Sequence, residues 1–363
     1  MSEGFKVLKS SENTLNFIPA FNQKGILGFR KNNSKVLRPF FPNTWELKDT
    51  DFQVLIADKE ANYMPNPQYF ETYQTYFKPS MRCVLLDWVF ELSSEFNFKK
   101  QTVYLAISIV DRLCSVCPNV LKNEIQLLGL TALYISSKLE EVFPPSTFTF
   151  AKAAKHAYSE KLIKQSEKAI LKHLNWRVLS VTPYEILNWL MDQWDNFICF
   201  HFFELKENSL LSVDPNCSLL LTFKKPNKQS YKRYTETMQV LDTTVLDHRV
   251  LRFLPKHLVS AVLYLQVNKY FQQSALASVK SCEENNWVIE EIFSEFISKV
   301  LGVSLIHLHQ EILFASQFLN VEKTLEVPKV CKVLPKERIE EHYEEFQAYQ
   351  VYNKQAVSHC KKL

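Results

Sequence analysis

The residues that could do chemistry in this chain are scattered, not grouped. Its nine histidines are spread along the sequence. His307 and His309 stand two apart, so on a helix their rings point in different directions. Glu140 and Glu141 are adjacent, which turns the two carboxylates apart instead of facing them across a substrate. Cys114 and Cys117 form a single CxxC with no second pair at zinc spacing, and the eight cysteines read as reduced thiols, not as a disulfide framework. No HExxH, GxSxG, GxxxxGK[ST] or GxGxxG occurs, and five glycines leave little room for phosphate-cradling loops or dinucleotide turns. These patterns predict a chain that is not an enzyme and carries no cofactor or metal.

Charge in an apolar setting is more informative. Residues 81–89, MRCVLLDWV, are apolar at 81, 84, 85 and 88, the stripe of a helix, and also at 83, 86 and 89. Such a helix is buried all round or keeps one stripe for a partner. Arg82 and Asp87 interrupt it. A buried charge survives only when paired, so Arg82 needs an acid nearby.

Bulk properties agree with a helical, globular chain. At 363 residues there is length for two domains with full cores, 46% of residues are hydrophobic, and 13% are aromatic. The net charge of +4 is too mild to call for nucleic acid, and no apolar run reaches membrane-spanning length. Residues 1–44 read as a basic flexible tail, with Lys6, Lys9, Lys24, Arg30, Lys31, Lys35 and Arg38 against Glu3 and Glu12. A helix is predicted within 45–63, stopped by Met64-Pro65-Asn66-Pro67. Five more follow at about 79–96, 102–116, 123–140, 147–157 and 159–174, the third ended by Pro144-Pro145. Gly129, inside that third helix, predicts the close approach of a neighbouring helix backbone. Thr182-Pro183-Tyr184-Glu185 reads as a capping box opening a second bundle. Residues 195–230 read as irregular, an insertion, with helices resuming at about 232–247, 255–272, 286–300 and 302–318. The acidic stretch 335–355 predicts a polar amphipathic helix within a C-terminal extension, 321–363.

Several of these stretches, in order, resemble the cyclin box: MRCVLLDWVFEL, TVYLAISIVDRL, EIQLLGLTALYISSKLEEVFPP and SEKAILKHLNW. NVLKNEIQLLG and LNWRV are most similar to E-type members of that family. The resemblance implies an all-α fold of two tandem five-helix bundles with flanking N- and C-terminal helices. An N-terminal box would occupy 45–178 and a second bundle 182–320.

The resemblance further implies a regulatory subunit that binds and activates a cyclin-dependent serine/threonine kinase. Lys138 and Glu167 would contact the kinase, with Leu139, Glu140, Val142, Phe143, Leu171 and Trp176 around them. A shallow groove of Met81, Val84, Leu85, Trp88 and Gln126 would take Arg-x-Leu segments of substrates or inhibitors, with Glu91 offering a carboxylate. Lys155 and His156 stand where the family often carries a second acid. Arg82 would pair with Asp111. A nuclear and cytoplasmic role at the onset of DNA synthesis is implied, with no membrane or direct nucleic-acid partner. The alternative is a transcription-type cyclin or a DNA-binding cyclin-fold transcription factor, which would need a concentrated basic face.

Overall fold

Prolines and capping side chains set the helix ends. A computed structural model of the chain describes residues 49–207, 228–277 and 282–319, and every regular element among them is helical. Helix α1 (Asp49–Tyr63) and the one-turn α2 (Tyr69–Thr72) lead into a first bundle: α3 (Pro79–Phe96), α4 (Lys100–Val116), α5 (Ile125–Glu140), α6 (Thr147–Ala153) and α7 (Glu160–His173). Pro79 opens α3, and Asn97, left-handed at φ 54°, closes it. Ser146 and Ser159 cap α6 and α7 through the Thr149 and Leu162 amides. The second bundle is α8 (Pro183–Glu207), α9 (Lys228–Leu246), α10 (Pro255–Ala277), α11 (Cys282–Leu301) and α12 (His309–Ser316). Its opening is a capping box: Thr182 N donates to Glu185 Oε2 at 2.8 Å, and Glu185 N donates to Thr182 Oγ1 at 3.3 Å.

Each bundle is built around one helix. In the first it is α5, buried from Ile125 to Ser137 on every side, with α3, α4, α6 and α7 packed round it. In the second it is α10, whose Leu258, Val259, Val262 and Leu263 are buried among α8, α9, α11 and α12. Gly129 lies where α5 packs against α3. A Cβ there would stand 2.6 Å from Leu85 Cδ1 and 3.3 Å from Val89 Cγ2, so the approach is by α3 side chains and not by helix backbone as the sequence suggests.

The two bundles and α1 form one contiguous core. Phe52 of α1 packs on Trp189 of α8, ring centroids 4.9 Å apart, and Gln53 donates to the Val300 carbonyl. Lys256 of α10 pairs with Glu60 at 2.9 Å. Between the bundles, Tyr104 and Lys100 of α4 both bond the Asp242 carboxylate of α9. Burial raises the Asp242 pKa, opposed by Lys100.

The observed chain departs from the sequence expectation in four places. Helix α8 continues to Glu207 instead of giving way at 195, because Trp194 and Ile198 are buried and the Trp194 ring packs 5.4 Å and 5.1 Å from Phe293 and Phe296. Helix α9 starts at Lys228, inside the stretch expected to be irregular. Helix α6 stops at Ala153, after which Lys155 and His156 both turn left-handed, at φ 47° and 57°. The helix expected over 302–318 is broken: Gly302 sits at φ 65°, a 3₁₀ turn spans Leu305–Leu308, and α12 covers His309–Ser316. The tail 1–44, the core of the insertion at 208–227 and the extension 321–363 lie outside the described residues.

Candidate functional site

One end of the first bundle exposes apolar side chains that the core leaves uncovered. Helix α5 ends at Glu140, and the following loop holds Val142 76% exposed and Phe143 90% exposed. Leu139, in the last turn of α5, is also exposed. Helix α7 packs beside α5 and ends in two left-handed residues, Asn175 and Trp176, at φ 50° and 61°. That turn leaves Trp176 71% exposed, with Leu179 half exposed beyond it. Large apolar side chains in such number at a surface mark an interaction site.

Two charges lie within this end. Lys138 closes α5, where a cation suits the helix dipole, and its Nζ donates to Glu167 Oε1 of α7. The same ammonium stands 4.5 Å from the Tyr134 ring centroid. Leu171, half-buried, lies one turn beyond Glu167 on α7. Glu140 is half-buried; burial raises its pKa, and a hydrogen bond from Gln101 and the nearby Lys99 oppose the shift. The elements that carry Lys138, Leu139, Glu140, Val142, Phe143, Glu167, Leu171 and Trp176 are therefore neighbours. Leu179 and Arg177 belong to the same end and were not singled out from sequence. An apolar residue three positions beyond an exposed tryptophan was the available signal.

Helix α3 carries the second set. Met81, Val84 and Glu91 are half-buried, and Trp88 is only 9% exposed. Leu85 is 1% exposed and fills the space above Gly129, so it can back a groove but cannot line one. Gln126, in the first turn of α5, is buried and accepts from the Tyr158 hydroxyl at 3.3 Å, while its Nε2 has no partner among the described residues. Beside Trp88's helix, Phe148 is exposed and its ring lies 6.1 Å from His156, on the left-handed Lys155-His156 turn.

Arg82 is fully buried and held by Asp111 of α4 through two bonds, Nε to Oδ1 at 2.7 Å and Nη2 to Oδ2 at 2.8 Å. Tyr69 donates to the same Oδ1 at 3.0 Å. The guanidinium also reaches the second bundle, donating from Nη1 to the Val245 and Leu246 carbonyls at 2.9 Å and 3.2 Å. Burial works against the Arg82 charge, but Asp111 more than restores it, raising the Arg82 pKa. Cys114 and Cys117 are buried, with thiol pKa values pushed up by burial, and no cluster of three metal-ligating side chains exists among the described residues. No described helix is long and apolar enough to cross a membrane.

Comparison with known proteins matches residues 52–179 to the cyclin N-terminal domain. Over that stretch the chain is similar to cyclins. Its relatives include the G1/S-specific cyclin-E1 of Danio rerio, 30% identical over 220 residues, which cover 61% of this chain and 48% of the relative. They also include the G2/mitotic-specific cyclin-B of Hydra viridissima, 28% identical over 227 residues, covering 62% and 44%. The chain thus spans about half the length of these curated relatives. The crystal structure of a viral cyclin from herpesvirus saimiri superposes with a TM-score of 0.53 at 16% identity, over 74% of this chain and 96% of that one, and shares the cyclin fold. The relatives divide between E-type and B-type at similar identity.

Proposed function

We propose that this chain is a non-catalytic regulatory subunit that binds and activates a cyclin-dependent serine/threonine kinase. The observation that carries the proposal is the exposed apolar end of the first bundle, Leu139, Val142, Phe143 and Trp176, set round the Lys138–Glu167 pair. A surface of this kind is stabilised by being covered, and a kinase that is covered by it in only one conformation is shifted toward that conformation. Displacing the kinase's αC helix into place, so that its Lys–Glu ion pair forms, would be the mechanism; the subunit needs no chemistry of its own. Met81, Val84, Trp88 and Glu91, backed by Leu85 and Gln126, are proposed to take Arg-x-Leu segments, with Trp88 as anchor and Glu91 facing the basic residue.

The finer assignment is an E-type role at the onset of DNA synthesis, in the nucleus and cytoplasm, supported by NVLKNEIQLLG and LNWRV. B-type relatives set the competing assignment, which abundance of the protein through the cell cycle would decide. The test of the central proposal is direct. Purified chain is mixed with a monomeric cyclin-dependent kinase, and complex formation and phosphorylation of a histone substrate are measured together. A complex with raised kinase activity is expected; the absence of both overturns the assignment.

A further inference from the structure

A basic cluster lies where α1, α4 and the segment following α7 converge. Ser108 and Arg112 are four apart on α4 and share a face, as do Lys59 and Tyr63 on α1. Residues 177–180 run between those faces. Ser108 Oγ and Ser180 Oγ are 2.8 Å apart, Arg112 Nη2 donates to the Arg177 carbonyl, and Lys59 Nζ donates to the Leu179 carbonyl at 3.2 Å. Both cations also sit against one ring: Lys59 Nζ and the Arg112 guanidinium carbon are each 4.6 Å from the Tyr63 centroid. A cavity of about 100 Å³ adjoins the cluster, lined by Lys59, Tyr63, Ser108 and Ser180 together with Glu60 and Asp111, and Arg112 and Arg177 lie outside its lining.

The cluster is short of negative charge. Arg112 is 8% exposed, and its Nη1 is buried with no hydrogen-bond partner among the described residues. Burial pushes its pKa down to about 10; Tyr63 opposes the shift and the nearby Arg177 adds to it. The three acids adjacent in sequence are engaged elsewhere, Asp111 by Arg82, Glu60 by Lys256 and Asp58 by the Asn62 amide. No carboxylate pairs with Lys59, Arg112 or Arg177 among the described residues. A buried guanidinium with an idle N–H and no counter-ion is costly, and an anion offering several acceptor oxygens would relieve it. A phosphoryl group supplies about −1.5 to −2 charge and three such oxygens, which suits a guanidinium fork backed by a second arginine and a lysine. The cluster also borders exposed Trp176 and Leu179, which flank Arg177 and would be left uncovered by a free ion.

We propose that Lys59, Arg112 and Arg177 bind a phosphoryl group carried on a polypeptide segment that lies against Trp176 and Leu179. The site shares Trp176 with the face proposed for the kinase, but it is tested on the chain without kinase, so its failure is distinguishable from failure of that assignment. Isothermal titration of the full chain at fixed ionic strength would use two probes, inorganic phosphate and a phosphoserine pentapeptide flanked by leucines. Both should bind saturably, the phosphopeptide at least about tenfold tighter than phosphate, because the leucines add apolar contact. The unphosphorylated peptide should not bind. Arg177→Ala and Lys59→Met should each weaken both probes by at least about tenfold. Lys161→Ala, at the opposite end of α7, should leave them within about twofold, as a surface charge remote from the site does. Arg177 is exposed, so its variant keeps the fold even where Lys59→Met does not. No saturable binding of phosphate, or binding indifferent to Arg177→Ala, overturns the site. A phosphopeptide no tighter than inorganic phosphate overturns the polypeptide ligand.

Discussion

Replacing Arg82 by alanine should remove most of the stability of the chain, and the structure allows the loss to be apportioned. Arg82 is among the largest side chains that are fully buried. Its removal leaves the buried Asp111 carboxylate with one donor among those it had, the Tyr69 hydroxyl. Breaking a buried pair from one side costs about 3–5 kcal/mol, because the surviving charge is uncompensated. The Val245 and Leu246 carbonyls lose their shared donor as well, at about 1 kcal/mol for each bond. Against a typical domain stability of about 5–15 kcal/mol, the total is decisive. The loss should also be shared between bundles, since the guanidinium ties α3 and α4 to the end of α9. Urea denaturation followed by far-UV circular dichroism and by tryptophan fluorescence would measure it. A midpoint shift worth less than about 1 kcal/mol would refute the reasoning, and so would destabilisation confined to the first bundle. Removing both members, Arg82→Met with Asp111→Leu, should cost less than Arg82→Ala, since no charge is then stranded.

Further predictions bear on the other sites. Lys138→Ala with Glu167→Ala should change stability by less than about 0.5 kcal/mol per residue and lower kinase affinity at least about a hundredfold; affinity within threefold of the parent would remove those residues from the proposed face. Trp88→Ala should weaken phosphorylation of Arg-x-Leu substrates while sparing short peptides that lack the motif, and equal loss on both would assign Trp88 to the core alone. Gly129→Ala should destabilise by about 1–3 kcal/mol through the clash with Leu85, and Leu85→Ala in the same chain should recover part of that loss; additive melting shifts would argue against the contact. Burial lowers the His257 pKa, opposed by Glu311, so the unfolded chain binds more protons there and the His257 contribution should be lost as pH falls through about 6.5. His257→Gln should flatten that part of the stability profile, and an unchanged profile would show that the ring is not responsible.

The fold was legible where local chemistry decides it. Thr182 and Glu185 form the capping box that the sequence shows, and it depends only on nearby backbone. Tertiary contacts decided the rest. The sequence reads as irregular from 195, yet the Trp194 ring against Phe293 and Phe296 carries α8 on. The rule that buried charge must pair demanded a partner for Arg82, but only the family resemblance pointed to Asp111. Periodicity could not separate Leu85 from Val84, because α3 is apolar on nearly every side; burial separates them. The basic cluster was invisible in sequence, since Lys59, Arg112 and Arg177 come from three distant places and none looks unusual alone.

The exposed end of the first bundle also shows why its charges read ambiguously. Lys138 and Glu167 satisfy each other in the free chain, and Tyr134 holds the ammonium from one side. A pair with Lys138 exposed and Glu167 half-buried adds little to the fold by itself, since the salt bridge is open to water on the lysine side. The apolar residues around it are equally unneeded by the core, since Val142, Phe143 and Trp176 stand mostly in solvent. A partner that covers them must desolvate both charges, and that cost is recovered only by a surface offering an acid to Lys138 and a donor to Glu167. Apolar area would supply the affinity of such a face. The ion pair would supply its selectivity, by penalising every apolar surface that lacks the matching groups.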